Sequence, residues 1–345
     1  MNQKNRVGVV LLNWNGREVL ERYLPSVVRY TSQEEVVIYV VDNGSTDDSV
    51  AWLQTHYADQ VELILFEENH GFAGGYNKAL DLIEVEYALL LNSDVEVTEN
   101  WLNPLIDYMD THPEVVACQP KIKSWREPDF FEYAGAAGGF IDCLGYPFCR
   151  GRLFSTLEKD KGQYDDSLSI FWATGAALCI RLQNFRAVGG FDERFFAHME
   201  EVDLCWRLLA RGGKIKCIPQ SEVYHYGGAT LSDENPRKVY LNFRNNLLML
   251  YKNMPHKELV KVLRYRWFLD YLASFIFLLT GSYKKMKAVW RARKDYQSIR
   301  IQFSADRIEN LEKTVQENIK ERKNYSILVE YYLKRRKHFS EIERN

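Results

Sequence analysis

Two β-branched apolar runs, Val7 to Leu12 and Val36 to Val41, bracket a stretch from Arg17 to Tyr30 in which apolar residues recur at helical spacing. This is the pattern of a β-α-β unit. It continues with a predicted helix near Asp47 to His56, a strand Val61 to Phe66, a helix Gly74 to Ile83 and a strand Tyr87 to Leu91. Continuous apolar strands joined by helices predict an α/β fold with a mostly parallel sheet flanked by helices, and a ligand crevice at the carboxyl ends of the strands. The residues to read for chemistry are therefore those that follow each strand. They are Asn13-Trp14-Asn15-Gly16, Asp42-Asn43-Gly44-Ser45, Asn69-His70-Gly71 and Asn92-Ser93-Asp94, all small, polar and turn-forming apart from Trp14 and His70.

Beyond this point the periodicity weakens. A glycine- and aromatic-rich region from about Phe130 to Phe171 predicts loops and short strands over the crevice. Regular structure is expected again over Phe171 to Ile180, in a helix from about Gln183, and in a helix from Glu200 to Ala210 stopped by Gly212-Gly213. A strand Lys214 to Ile218 and the segment Val223 to Tyr226 close this part. From Pro236 the pattern is helical almost to the end, so a boundary is expected near 235, with a catalytic domain over 1–235 and a helical, basic extension over 236–345. Lys334 to His338 is a terminal charge run that reads as a solvated helix face.

Composition sharpens this division. The 345 residues are 46% hydrophobic and 27% charged, which is the regime of a folded protein with a sizeable core. The net charge of -2 conceals an asymmetry, because residues 252–345 carry 22 Lys+Arg against 11 Asp+Glu. An aromatic-apolar run, Trp267 to Thr280, precedes Lys284, Lys285, Lys287, Arg291, Arg293 and Lys294. Such helices suit an anionic membrane surface or a homodimeric contact better than nucleic acid. The run is shorter than the roughly 20 residues needed to span a bilayer and contains Asp270. Six scattered cysteines without a C-x-x-C pair, and an N-terminus that does not read as a signal peptide, fit a reducing cytoplasm, and the membrane reading of the C-terminal helices would set the chain peripherally on the cytoplasmic face of the inner membrane.

Several strand ends carry candidate chemistry. Asp42 can accept a hydrogen bond from the N3–H of uracil or thymine, although an Asx turn or a helix cap accounts for an isolated D-N-G-S equally well. Asp94 can ligate Mg²⁺ or Mn²⁺ through oxygen, and the same capping alternative applies to Asn92-Ser93-Asp94. Glu200, Glu201 and Asp203 crowd the start of one helix, where the helix dipole favours negative charge. One of the glutamates facing the crevice, beside a like-charged neighbour, would have its pKa raised into the range of a general base, while Asp203 points elsewhere on the helix. The residues themselves do not choose between Glu200 and Glu201. His225, followed by Gly227-Gly228, is a further candidate metal ligand of the kind that suits Mn²⁺.

The segments VGVVLLNWNG, VVDNGSTDDS, ENHGFAGGYNKAL, LLLNSDV, TGAALCIR, VGGFDERFF, EEVDLCWR and VYHYGG, in this order, resemble the signature segments of glycosyltransferase family 2. The likeness covers roughly residues 6–230 and is greatest to the branch of bacterial rhamnosyltransferases and related cell-surface polysaccharide enzymes. It implies a GT-A fold and an inverting transfer of a sugar from a nucleotide diphosphate donor, UDP- or dTDP-linked, to a glycan or lipid-linked acceptor. By the same resemblance Asp42 contacts the pyrimidine. Asp94 holds the divalent metal in a degenerate D-x-D that begins at Asn92 and includes Ser93, and His225 is a second ligand. The base position falls on Glu201, within Glu200-Glu201-Val202-Asp203, with Glu where the family has Asp. Asn13, Asn15, Asn69, Gly71 and Asn77 are implied on the donor side, and Trp172, Thr174 and Gly175 where the acceptor or the donor sugar packs. The Q-x-x-R-W signature of processive members is not matched, since Leu263 stands where Gln would precede Arg266-Trp267; one sugar per binding event is expected.

Other classes fit less well. A nucleotidyltransferase would show a glycine-rich loop with a basic residue after the first strand, and a dehydrogenase G-x-G-x-x-G, where this chain has Asn13-Trp14-Asn15-Gly16. A degenerate nucleotide-sugar sensor or scaffold is the remaining alternative, and retention of Asp94, the glutamate pair and His225 argues against it.

Overall fold

The computed structural model describes residues 5–31, 34–227 and 235–343; Gly228 lies outside them. The first ninety residues alternate strand and helix: β1 (Val7–Asn13), α1 (Arg17–Thr31), β2 (Val36–Asn43), α2 (Ser49–His56), β3 (Glu62–Phe66), α3 (Gly71–Leu82) and β4 (Tyr87–Asn92). β1 pairs in parallel with β2 and β4, and β2 with β3. Continuous apolar runs become buried strands here because both faces are covered. Val9, Leu11 and Val40 pack into one apolar cluster, while Val10, Val41 and Leu90, facing the other way, pack into a second.

There follow β5 (Val95–Val97), α4 (Asn103–Thr111), β6 (Val115–Ser124), four short strands β7 (Gly139–Ile141), β8 (Pro147–Cys149), β9 (Arg152–Leu153) and β10 (Thr156–Leu157), then β11 (Leu168–Ser169), β12 (Ala177–Arg181), α5 (Leu182–Ala187), α6 (Glu200–Ala210) and β13 (Lys214–His225). Among the described residues, nine strands form one sheet, ordered β11-β13-β6-β12-β4-β1-β2-β3 with β5 against β13, and β7 to β10 form a small antiparallel sheet of their own. The apolar pattern did not predict α4 or β6, and it divided β13 in two. β6 contains Gln119-Pro120-Lys121, and Lys121 is buried only because its ammonium pairs with Asp160 at 2.9 Å. The break seen in β13 is a register shift against β6 between Ile218 and Glu222.

The C-terminal part consists of α7 (Pro236–Asn253), α8 (His256–Leu279), α9 (Tyr283–Ile299), α10 (Ser304–Glu312) and the short α11 (Phe339–Ile342). α7 begins sharply because the Asn235 side chain accepts from Arg237 N at 2.9 Å and Pro236 needs no amide partner in the first turn. The expectation of helix almost to the end is corrected after Glu312. From there to the short π-helix Val329–Leu333 the chain is irregular and runs along the small sheet, with Lys323 N donating to Ile141 O at 2.8 Å and Ile327 N to Asp142 Oδ2 at 2.9 Å. The charge run 334–338 is likewise not a solvated helix face. Lys334 and Arg336 both pair with buried Glu330, at 2.7 and 2.8 Å, and Lys337 lies 3.4 Å from the centre of the Tyr331 ring.

The boundary near 235 therefore separates two kinds of secondary structure that share one core. Leu247, Leu248, Phe303, Ile327 and Phe339 belong to the same apolar cluster as Val10, Tyr76 and Phe171. No helix among the described residues is long and apolar enough to cross a membrane.

Candidate active site

Parallel register sets Asn13 beside Asp42 and Leu12 beside Asn92, so the polar turns emerge along one edge of the sheet. Asp42 is buried. Its Oδ1 accepts from Asn13 Nδ2 at 3.0 Å and its Oδ2 from Ser45 N at 2.9 Å. The second contact is the Asx turn expected of D-N-G-S, and each oxygen keeps a lone pair for a further donor. Asn15, at φ 49°, braces the same loop by accepting from Thr46 N at 2.7 Å. Asn43 ties in the next turn, donating to Asn69 Oδ1 and Gly71 O, each at 3.1 Å. Gly71 has φ +72°, a conformation that glycine adopts without cost, and it faces Phe196 O.

At the end of β4, Asn92 N donates to Ala176 O at 2.9 Å, which brings Asn92-Ser93-Asp94 against the Thr174-Gly175 turn. Thr174 is buried, its backbone N–H held by Gln119 Oε1 at 2.9 Å, and Gly175 leaves room for the Phe72 ring. Trp172 is buried against the small sheet. Its indole N–H donates to Phe140 O at 3.0 Å, and a Cβ on Gly139 would strike its ring.

β5 turns Asp94 onto the end of β13, where Tyr226 N donates to Asp94 O at 3.0 Å and His225 Nε2 lies 3.1 Å from Asp94 Oδ1. The other ring nitrogen, Nδ1, is 3.5 Å from Glu132 Oε1. Glu132, from the glycine- and aromatic-rich stretch, had no sequence signal beyond its place in a loop. Burial lowers the His225 pKa, but hydrogen bonds to Asp94 and Glu132 outweigh it and push the imidazole up to about 10. Among the described residues, no three His, Cys, Asp or Glu side chains are gathered closely enough to hold a metal by themselves. The donor set nonetheless fits a divalent cation. A carboxylate and an imidazole nitrogen face each other at 3.1 Å, a second carboxylate stands 3.5 Å from Nδ1, and a cation would take the place of the proton on Nε2, with a bound diphosphate left to complete the shell.

Glu200 and Glu201 open α6 after a loop of unusual backbone, with φ of 67° at Phe196, 69° at His198 and 76° at Met199. Such conformations in side-chain-bearing residues cost on the order of 1–3 kcal/mol each and persist only when held in place. Asn245 of α7 holds them, its amide lying 2.9, 2.8 and 2.8 Å from the carbonyl oxygens of Phe195, Ala197 and His198. Burial raises the carboxyl pKa of both glutamates, and the charge of Glu201 raises Glu200 further. The Oε2 atom of each is buried without a hydrogen-bond partner, as is His198 Nε2. Burial and Lys238 lower the His198 imidazole to about 4, so it is neutral at pH 7.

Two residues grouped with the site on resemblance are occupied elsewhere. Asp203 is fully buried and faces Arg207 Nε at 3.0 Å, Lys252 Nζ at 2.9 Å and Asn253 Nδ2 at 2.8 Å. A carboxylate held by two cations is an anchor for α7 and not a proton acceptor, which corrects its grouping with the catalytic pair and agrees with the helix geometry that turns it away. Asn77 donates to Phe191 O at 2.9 Å and Glu193 Oε1 at 3.0 Å and accepts from Phe191 N at 2.9 Å. It therefore braces α3 against the approach to α6 rather than facing a donor. A cavity of about 570 Å³ on that side is lined by Asn77, Asp192, Arg194, Arg207 and Lys252, and contains none of the other candidate residues. Its charges are paired with one another, as in Asp192 with Arg194 and Lys252, both at 2.7 Å.

Residues 8–165 match the family model for glycosyl transferase family 2. The chain is 29% identical over 236 residues to an N-acetylglucosaminyl-diphospho-decaprenol L-rhamnosyltransferase of Mycobacterium tuberculosis, covering 63% of this chain and 75% of that protein. It is 25% identical over 227 residues to an O-antigen biosynthesis protein of Myxococcus xanthus, covering 65% of this chain and 18% of that one. Among solved structures it resembles GalNAc-T7 bound to UDP, GalNAc and Mn²⁺, with a TM-score of 0.58 at 15% identity over 89% of this chain and 58% of the other. The last likeness establishes the fold, a GT-A sheet with C-terminal helices. Residues 8–165 thus carry a glycosyl transferase family 2 domain, and the chain resembles glycosyltransferases of the rhamnosyltransferase branch.

Proposed function

We propose that the protein is an inverting, metal-dependent transferase that moves one sugar per encounter from a UDP- or dTDP-sugar, a rhamnose-like deoxyhexose among the candidates, to a glycan or lipid-linked acceptor in cell-surface polysaccharide synthesis. The observation that carries this reading is the pairing of Asp94 with His225 on the same sheet edge as Asp42. Asp42, with a lone pair left on each oxygen, suits the N3–H of a pyrimidine. Asp94 and His225 would hold a divalent cation, Mn²⁺ or Mg²⁺, oriented through Glu132. When bound, the cation neutralises the charge that develops on the diphosphate leaving group.

The glutamate pair supplies the base. Two adjacent carboxylates in a dry site do not ionise together, and Glu200, raised further, keeps the proton. Glu201 is left to take the proton of the acceptor hydroxyl, whose oxygen attacks the anomeric carbon from the side opposite the nucleotide, so configuration inverts. The mycobacterial relative is named for a decaprenol-linked substrate. A lipid-linked acceptor of that kind would call for an enzyme working at the cytoplasmic face of a membrane.

The test is a thermal-shift panel of nucleotide sugars with and without Mn²⁺. The reading expects stabilisation by pyrimidine diphosphate sugars that exceeds that by guanosine ones and depends on the cation. Equal response to both bases would remove Asp42 from base recognition, and no response to any would remove the nucleotide-sugar reading.

A further inference from the structure

Helix α8 is built inside out. The residues it buries toward the protein include Arg266, Asp270 and Ser274, at four-residue spacing. Arg266 Nε reaches Asp270 Oδ1 at 3.2 Å, Arg293 of α9 reaches the other Asp270 oxygen, and Ser274 accepts from Trp290 Nε1 at 2.8 Å. The residues it turns outward are large and apolar. Trp267 is 55% exposed, Phe268 63%, Phe275 53%, Ile276 51% and Leu279 70%, and Trp290 of α9 lies beside them at 58%. A water-facing helix shows the reverse order, and contiguous exposure of this kind marks a surface that something apolar covers.

We propose that the outward face of α8 and α9 docks on an anionic membrane surface, with the turn between them inserted among the headgroups. Charge selects this occupant. Residues 256–299 carry ten Lys and Arg against three acids. Of these acids Glu258 is bound by Arg322, Asp270 is buried and Asp295 accepts from Tyr240. Lys284, Lys287 and Lys294 are exposed, the first two directly after the apolar turn, where headgroup phosphates would meet them. Trp267, Trp290 and Tyr283 present an apolar body with a polar atom, the side chains suited to the headgroup layer. A second copy of the chain would set one positive face against another.

The docking face is joined to the active site. α9 packs on α7 through Tyr240 and Asp295, at 2.7 Å, and Asn245 of the same α7 clasps the loop before Glu200. A membrane under α8 and α9 would therefore hold the site next to a lipid-linked acceptor. The inference rests on the reading of an enzyme at a membrane, but not on its transfer chemistry.

The experiment is flotation of the full chain with vesicles of phosphatidylcholine and phosphatidylglycerol, against vesicles of phosphatidylcholine alone, alongside Mn²⁺-dependent donor hydrolysis in solution. Two variants accompany it, Phe275→Ser/Leu279→Ser and Lys284→Glu/Lys285→Glu/Lys287→Glu, each checked for an unchanged melting temperature. The proposal expects flotation with the anionic vesicles only, reduced at least about tenfold by either variant and by high salt, with donor hydrolysis unchanged in both. Should the apolar variant fold poorly, the lysine variant carries the test alone. No flotation of the native chain would overturn the proposal, as would a concentration-dependent dimer that the apolar variant dissolves. Flotation without donor hydrolysis would leave the docking face standing and remove the transferase reading instead.

Discussion

Lys252 Nζ, near the end of α7, lies 2.9 Å from Asp203 Oδ2 on α6, and both side chains are buried. This contact binds the helical C-terminal part to the helix that carries Glu200 and Glu201. Removing Asp203 would leave two buried cations, Lys252 and Arg207, without their shared partner. Such a loss typically costs about 3–5 kcal/mol. Asp203→Ala is therefore expected to lower the urea midpoint substantially, and a fragment ending at 235 to be unfolded or aggregated. A stable, monomeric 1–235 fragment would show that the two parts do not depend on each other.

Asn245 of α7 supports the loop that leads into Glu200. With its amide gone, the carbonyls of Phe195, Ala197 and His198 lose their donor, and the positive-φ backbone before Glu200 is free to relax. Asn245→Leu is expected to reduce kcat at least tenfold with little change in donor KM, since the loops at Asn13, Asp42 and Asn69, proposed to bind the donor, are untouched. An equal rise in KM would place Asn245 in donor binding instead.

The glutamate pair sets a pH dependence of definite sign. Burial raises the folded-state pKa of both above the ordinary carboxylate value of about 4.3. On the proposed mechanism one of them must be ionised for transfer, so the acid limb of kcat against pH is expected above the usual carboxylate range. A raised carboxyl pKa in the folded state favours folding while the group is protonated, and that contribution is lost as pH rises through the folded value. Glu200→Gln should therefore be more stable than the native protein at alkaline pH and no more stable at acid pH. A stability difference that does not change with pH would show that Glu200 is not buried as described.

Glu132 acts through His225. On the proposed metal site, Glu132→Gln is expected to weaken Mn²⁺ affinity about 10–100-fold, the usual effect of losing the carboxylate behind a metal-ligating histidine, while saturating Mn²⁺ restores most of the turnover. Asp94→Ala should not be restored in this way.

Much of this arrangement was legible in the sequence, and the limits are instructive. The strand ends at Asn13, Asp42 and Asn92 could be found because continuous β-branched runs stop there, and α6 because its acidic start and double-glycine stop are local signals. β6 was hidden by Lys121, which is buried through its pairing with Asp160, 39 residues away and outside any local pattern. Glu132 and Asn245 were not visible for the same reason. Each owes its role to a partner about fifty or more residues distant, His225 for one and Phe195 for the other. The inverted face of α8 was read as aromatic-apolar sequence, but which side it turned inward depended on Arg293 meeting Asp270, and Trp290 meeting Ser274, across the hairpin.

The most direct test of the central claim is the single-turnover rate of sugar transfer by Glu201→Gln at saturating donor and Mn²⁺, compared with the native enzyme and with Glu200→Gln. The account predicts a loss of at least about a hundredfold for Glu201→Gln, in keeping with the 10²–10⁴ typical of a general base, and a smaller one for Glu200→Gln. Near-native transfer by Glu201→Gln would contradict it.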